Sequence, residues 1–348
     1  MEQTLGLQIN AKSRIPKYQQ IVNSIVHNIE KGRLDMGQKI PSINEVSEEY
    51  YLSRDTVEKA YSALKQKRII VSVKGKGYYI AKTNLVSKFH VLILMNKLSS
   101  YKMRIYNSFV KSLEAKAHVD LQIYHCDPKI FLDILKEKMG GYDYYIVMPH
   151  FKDENQRHIN ISSDILDALK KIPSDKLLLL DNDIPELGGA YGSVYQDFKT
   201  DIYKALAEAV SLLIKYEKLI LVYPSNIMYP YPKEITTGFR KFCVEHQFDF
   251  EILDEIYDDM EMVHKDAYIL VEETDLVNLI KEARDKEFQL GKDIGIISYN
   301  ETPLKELLGI TVITTDFKAM GETAAYMMLN RKNEKVKNAF RFINRNSV

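Results

Sequence analysis

Only two cysteines, Cys126 and Cys243, occur in the 348 residues, and they lie far apart. They fit no disulfide or metal-ligand framework, which points to a reducing cytoplasm. No apolar run approaches the ~18 residues that a membrane helix needs, so no membrane partner is expected. The opening MEQTLGLQIN lacks the charged-then-apolar pattern of an export signal. Missing too are HExxH, GxSxG and a P-loop. His118, His125, Asp127 and His150 do not stand at metal-ligand spacing. These absences argue against an enzyme, a metal site and a cofactor.

Net charge is also lacking: 48 Lys+Arg meet 48 Asp+Glu. The distribution is uneven, however. Residues 1–82 carry 14 Lys+Arg against 8 Asp+Glu, and the other 266 carry 34 against 40. A small basic module precedes a larger acidic one, as suits a head that gathers at polyanions.

Pro16 suits the first turn of a helix, and Tyr18, Ile21, Val22, Ile25 and Ile29 follow at helical spacing up to Gly32. Ser42 and Glu45 form a capping box for a second helix, and Ser53 can cap a third. In that third helix Val57, Ala60, Tyr61 and Leu64 make one buried stripe, while Arg54, Asp55, Glu58 and Lys59 project elsewhere. Two short helices with a polar outer face suit a helix-turn-helix, whose second helix enters the major groove. Ile69–Val73 and Tyr78–Ile80 read as strands joined by Lys74-Gly75-Lys76-Gly77, a wing whose lysines could meet phosphate or the minor groove.

The segments IPKYQQIVNSIVHNIEKGRL, GQKIPSINEVSEEY, LSRDTVEKAYSALKQKRII and GKGYYI resemble, in order and spacing, the DNA-binding domain of the GntR family over about residues 10–81. The resemblance implies a homodimer on a palindromic double-stranded operator. Ser42 and Asn44 would then start a helix near DNA, Arg54 and Thr56 would contact the operator, and Gly75 would lie at the wing tip. Ser53, Glu58, Lys59, Lys74 and Lys76 complete the candidate DNA-binding set. Two residues depart from the pattern. Glu58 stands where many members carry Arg. It could accept a hydrogen bond from cytosine, or form an i, i+4 pair that orients Arg54, the reading preferred. Arg68 replaces the usual glycine before the wing.

The winged helix is expected over 1–81, a linker over 82–88, and a second domain over 89–348. There, apolar runs alternate with helices: strands near 90–95, 121–125, 144–149, 176–181, 219–224, 250–253, 267–272, 293–299, 312–315 and 341–344, with helices near 101–117, 128–138, 162–171, 197–215, 232–246, 275–288 and 317–330. This alternation predicts βαβ units and parallel sheet. Ligands of such sheets bind beyond the strands' carboxyl ends. The polar ends at Met95–Ser99, Met148–Phe151, Asp181–Asp183, Tyr223–Ser225, Glu272–Glu273, Tyr299–Glu301 and Thr314–Asp316 are therefore candidates. His150 is one of them, and Tyr101 could offer an aromatic face.

DIGIISYNETPLKELLGITVITTDFKAMGETAAYMML and the closing RFINRNSV resemble lactose-repressor-type effector domains, which share the two-lobed periplasmic-binding-protein fold. The likeness implies an arabinose-repressor-like regulator in sugar catabolism. By matching positions, Asp181 would bind a sugar hydroxyl, Asn300 would stand where a ligand-binding aspartate is common, Glu272 near an Asn-Asp pair, and Thr315 at a polar contact. The family's arginine three residues before a glycine is Ile235 ahead of Gly238, with Arg104 or Lys233 left to compensate. The expected effector is a monosaccharide that relieves repression. Two alternatives differ in the second domain. A pyridoxal-phosphate enzyme-derived domain would need a longer chain and a Schiff-base lysine motif, and a ligand-independent dimerisation domain would show no effector response.

Overall fold

The computed structural model describes residues 5–10, 13–81, 89–114, 116–159, 161–225 and 227–348. The expected linker 82–88 lies outside them. The chain divides into two compact units between Lys88 and Phe89.

In the first unit, helix α1 (Lys17–Glu30) starts behind Pro16. It ends where Gly32 takes φ +65° and the Arg33 N–H donates to the Asn28 carbonyl at 2.8 Å. Strand β1 (Lys39–Ile40) leads into α2 (Ile43–Glu49). The Ser42 Oγ accepts from the Glu45 N–H, and the Glu45 carboxylate accepts from the Ser42 N–H at 2.6 Å, closing the expected capping box. Helix α3 (Arg54–Gln66) starts on Ser53, whose Oγ accepts the Thr56 N–H. Val57, Ala60, Tyr61 and Leu64 are buried against Ile21, Val22, Ile25 and Ile29 of α1. Strands β2 (Ile70–Val73) and β3 (Gly77–Ile80) form the wing, with order β1-β3-β2, all antiparallel. The unit is a winged helix-turn-helix. Two-residue β1 is too short to show a periodicity.

The second unit has two lobes. The first takes β4 (Phe89–Met95), α4 (Ser100–Ser112), β5 (Ala117–Ile123), α5 (Pro128–Lys138), β6 (Tyr144–Val147), a hairpin of β7 (Phe151–Lys152) and β8 (His158–Ile159), α6 (Ser163–Lys170), β9 (Leu177–Asp181) and β10 (Gly192–Tyr195). The chain then enters the second lobe for α7 (Phe198–Glu208), α8 (Val210–Leu213), β11 (Lys218–Val222), α9 (Glu234–Glu245), β12 (Asp249–Leu253), β13 (Asp266–Leu270), α10 (Glu273–Asp285), β14 (Gly295–Tyr299), α11 (Pro303–Leu307) and β15 (Thr311–Thr315). It returns for α12 (Phe317–Leu329) and β16 (Lys335–Lys337), and crosses again for β17 (Phe340–Ile343). The first sheet runs β16-β10-β9-β6-β4-β5, all parallel; the second runs β12-β11-β13-β14-β15-β17, parallel except for β17.

Three crossings join the lobes and lie against one another. The Asn338 N–H donates to the Tyr195 carbonyl at 2.7 Å, its Nδ2 to the Asp316 carbonyl at 2.9 Å, and the Asp316 N–H to the Ala339 carbonyl at 2.9 Å. Glycines permit the closest helix contacts. A Cβ on Gly321 of α12 would lie 2.4 Å from the Ile105 carbonyl of α4, and one on Gly238 of α9 would lie 2.2 Å from the Lys199 carbonyl of α7.

Several expected boundaries move. Helix α4 stops at Ser112, Glu114 turns to φ +47°, and β5 begins at Ala117 rather than near 121. The single helix expected over 197–215 breaks at Ala209 into α7 and α8. Strands β10 and β16 had no signal: β10 follows a glycine-rich turn, and Lys-Val-Lys of β16 is an exposed edge without an apolar run.

Candidate functional site

On the winged helix, Asn44, Ser53, Arg54, Glu58, Lys59, Lys74, Gly75 and Lys76 are exposed, and Ser42 and Thr56 are half-buried. Their positions are fixed from behind. The Tyr61 hydroxyl donates to the Pro41 carbonyl at 2.7 Å, tying α3 to the start of α2. Its ring meets Tyr78 of the wing edge-on at 4.9 Å. The Ser53 and Thr56 hydroxyls share a hydrogen bond of 2.7 Å, so part of their capacity serves the cap. Lys59 lies over the Tyr18 ring at 4.5 Å. The preferred Arg54–Glu58 pairing is not formed: no ion pair joins them among the described residues. Arg54 opens α3, where the helix dipole disfavours holding a cation down on the first turn. At the wing tip Gly75 and Gly77 take φ +74° and +106°, conformations that L side chains rarely adopt.

The second unit has a cleft between its lobes. With an empty volume of about 530 Å³, its open mouth included, it is lined from the first lobe by Asn96, Lys97, Tyr101, Lys102, His150, Asp181 and Phe317. The second lobe adds Phe198, Tyr231, Ile235, Tyr299 and Asn300, among others. Asp181 ends β9 and Asn300 directly follows β14, with φ +74° and +63°. Asx residues tolerate this left-handed geometry, which turns each side chain out of its strand's alternation.

Asp181 is buried and fully engaged. Its Oδ2 accepts from Lys102 Nζ at 2.8 Å and from His150 Nε2 at 2.9 Å, and its Oδ1 accepts from Gln196 Nε2. Burial favours the neutral acid, but Lys102 and His150 outweigh it and hold the carboxyl well below the usual carboxylate range. Burial, then the Lys102 charge, lowers the His150 pKa, so the imidazole is neutral. With Nε2–H given to Asp181, the His150 Nδ1 accepts from His158 Nε2 at 3.1 Å. Burial and His150 bring His158 down to about 3. Side chains as far apart in sequence as Lys102, His150 and Gln196 are thus gathered on one carboxylate, although only Asp181 and His150 stood out in the sequence.

Of the other effector candidates, Tyr101 lines the cleft with its ring 4.9 Å from Phe317, and Asn300 lines it with a carboxamide that has no partner among the described residues. Arg104, Glu272 and Thr315 lie outside the lining. Arg104 Nη1 donates across the lobes to the Glu301 carbonyl at 3.0 Å. Glu272 accepts from the Tyr231 hydroxyl at 2.6 Å. Thr315 is buried at the end of β15 with an unpartnered Oγ1. Lys102 and Gln196 escaped the sequence reading, while Asn96, Lys97 and Tyr299 fall within the strand-end stretches Met95–Ser99 and Tyr299–Glu301 and only lacked a partner residue to single them out. Among the described residues no helix is long and apolar enough to cross a membrane, and no group of three metal-ligand side chains occurs.

Comparison with known proteins separates along the same division. Residues 17–80 match the family described as bacterial regulatory proteins, gntR family. Over 83 residues the chain is 37% identical to the HTH-type transcriptional repressor YtrA of Bacillus subtilis (strain 168), a stretch that is 23% of this chain and 64% of that protein. The chain thus spans less than two thirds of that relative's length. About three quarters of the chain superposes on solved structures. A LacI family regulator from Lactobacillus casei with bound sucrose gives a TM-score of 0.59 at 14% identity, covering 74% of this chain and 99% of that one. The trehalose repressor from Escherichia coli gives 0.57 at 15% identity, covering 74% and 100%. At these identities the likeness is one of fold. The N-terminal unit is a gntR-family helix-turn-helix domain, followed by a domain with the two-lobed α/β fold of LacI-type regulators.

Proposed function

We propose that this chain is a sequence-specific, DNA-binding transcription regulator of the repressor type, controlled by a small carbohydrate held in the interlobe cleft. The observation that carries the reading is the coexistence of two sites of opposite character. One is an exposed helix N-terminus bearing Arg54 beside a Lys-Gly-Lys wing tip. The other is a cleft between the lobes with polar strand ends Asp181 and Asn300 between aromatic walls. Arg54 is placed to meet a guanine edge or a phosphate, and Lys74 and Lys76 to meet the backbone or the minor groove. Ser42, Asn44, Ser53 and Thr56 complete that face. A homodimer would set two such heads on inverted half-sites. Sugar-bound and sugar-named neighbours of the same fold favour a saccharide class for the effector.

In this reading the effector prefers one arrangement of the lobes and shifts their equilibrium by its differential affinity. Asp181, held by three donors, is a fixed acceptor; Asn300, with its carboxamide unengaged, is free to bond hydroxyls. Arg104 bridges the lobes when they are together. The test uses the full chain on DNA from upstream of its own gene. Specific binding should weaken steeply with salt as counterions are released, and a panel of pentoses and deoxyhexoses should include one that raises the melting temperature and lowers DNA affinity. Binding that no sugar alters would remove the effector half of the proposal and leave the DNA half.

A further inference from the structure

Three lysines are buried in the two-lobed domain around the cleft, and two of them have oxygen partners. Lys102 pairs with Asp181 at 2.8 Å. Lys305 donates to the carbonyls of Tyr299 and Asn300 at 2.6 and 3.1 Å. Lys97 differs. It is 8% exposed and lines the cleft, yet no carboxylate, carbonyl or hydroxyl accepts from its Nζ among the described residues. Its ammonium has only aromatic faces: Tyr231 at 4.7 Å, Tyr229 at 5.7 Å and Tyr101 at 5.9 Å. The acid acting most strongly on it, Glu272 of the second lobe, is taken up by the Tyr231 hydroxyl and forms no ion pair with it. Burial and the neighbouring Lys102 charge lower its pKa. A cation withdrawn from water without an oxygen partner is costly to the folded state, and cation–π contact offsets only part of that.

Asn96 Oδ1 and the Tyr299 hydroxyl, both in the same lining, are buried without hydrogen-bond partners. They call for a ligand that carries hydroxyl groups. We infer that the effector is an acidic sugar derivative, a sugar acid or a sugar phosphate, whose anionic group is received by Lys97 while its hydroxyls meet Asn96, Tyr299 and Asn300. The inference rests on the cleft being the effector site and deepens it from a neutral monosaccharide to an anion. Because Lys97 follows β4 of the first lobe whereas Tyr229 and Tyr231 belong to the second, the anion sits at the seam and its arrival is coupled to how the lobes meet.

The test compares the full-length protein with Lys97→Met and Lys97→Arg by thermal melting and calorimetry at constant ionic strength. The probes are neutral sugars paired with their own uronic acids and phosphate esters, such as glucose, glucuronate and glucose 6-phosphate, together with inorganic phosphate. Bound ligand raises the melting temperature by mass action. At least one anionic probe should stabilise the wild type well above its neutral counterpart. That response should weaken tenfold or more in affinity in Lys97→Met and be largely retained in Lys97→Arg. The uronic-acid and phosphate arms tell the two anion types apart. Without ligand, Lys97→Met should melt no lower than the wild type, since it removes an unpaired charge. A Lys97→Met protein that melts several degrees lower and keeps the wild-type response to anions overturns the inference and makes Lys97 a structural pillar. A wild type that answers neutral sugars alone overturns it too, but leaves the carbohydrate reading standing. A protein indifferent to every sugar, charged or neutral, overturns both.

Discussion

Arg54 is presented by residues at most three positions away, through the Ser53–Thr56 cap, whereas Asp181 is held by Lys102, His150 and Gln196, which lie 79, 31 and 15 residues from it. The first arrangement exposes its functional group and asks the fold only for a helix start. The second buries its group and needs an entire lobe to be assembled before any of its hydrogen bonds exists. Damage to the two should therefore look different. Loss at the DNA face should change binding and spare stability; loss among the partners of Asp181 should do the reverse first.

The largest effect is expected at Lys102. Replacing it with methionine leaves the Asp181 carboxylate buried without its cation, and breaking such a pair costs about 3–5 kcal/mol. Denaturant unfolding of Lys102→Met should show this loss, and adding Asp181→Asn should restore part of it by removing the stranded charge. Equal stability of Lys102→Met and wild type would mean that the carboxylate escapes to water, against its burial. Next comes Arg54→Ala. Losing one base or phosphate contact of this kind costs about 1–3 kcal/mol of operator binding, read by fluorescence anisotropy on operator DNA. The melting temperature should stay put, because Arg54 is exposed and outside every ion pair found among the described residues. An unchanged affinity would move the recognition surface away from the start of α3.

The same contrast explains what could be read in the sequence. The winged helix announced itself through short-range chemistry: the Ser42–Glu45 box, the Ser53 cap, the Val57-Ala60-Tyr61-Leu64 stripe and the glycine-bounded wing. Each of these is decided within a few residues. The alternation of the second unit likewise gave the parallel sheets and, through the strand-end rule, Asp181, His150 and Asn300 as cleft residues. What could not be read was who meets whom. Lys102 sits on the buried side of α4, where a lysine usually reads as solvent-facing, and Gln196 lies in a crossing between lobes that no periodicity marks. Arg104 offered the right charge for the missing arginine, but its place on α4 sends it across the lobes to the Glu301 carbonyl, outside the cleft lining. Strand β16 was hidden because an edge strand of alternating lysines carries no apolar run.

The buried histidines add a pH signature confined to the cleft. His150 and His158 are held neutral, the latter down to about 3, while unfolded histidine protonates near pH 6.5. Between about pH 6.5 and 3 the unfolded chain therefore binds more protons at His158, so stability falls as the solution is acidified, by up to about 1.4 kcal/mol per pH unit from this residue, and His150 adds in the same direction. Asp181, with its depressed pKa, adds a further loss only below about pH 4, as the unfolded carboxylate takes up its proton. The charged groups acting on the pair are Asp181, Lys102, Lys97 and Lys233. Unfolding followed from pH 7 to 5 should show the decline in the wild type and a shallower one in His158→Gln. Parallel curves would mean that His158 is solvated and charged in the folded protein.

The smallest effect tests how sharply local chemistry decides the winged helix. Helices α1 and α3 end in the same way. The residue after each C-cap, Gly32 and Arg68, turns to φ +65° and +56°, and the next N–H bonds back to a carbonyl of the last turn, Arg33 to Asn28 at 2.8 Å and Ile69 to Leu64 at 2.9 Å. Nothing lies within 4 Å of a Cβ built on Gly32, so space is not what selects glycine there. Backbone conformation is. An L side chain in this region costs about 1 kcal/mol, and Arg68 bears that cost in a side chain that is exposed. Arg68→Gly should therefore stabilise the winged helix by about 0.5–1 kcal/mol after the added freedom of the unfolded chain is counted, and Gly32→Ala should destabilise it by a similar amount. Opposite signs in the two melting shifts would establish the cap geometry. A destabilised Arg68→Gly would instead show that the arginine makes up in attraction what it loses in strain, and a simultaneous loss of operator affinity would place that attraction on DNA.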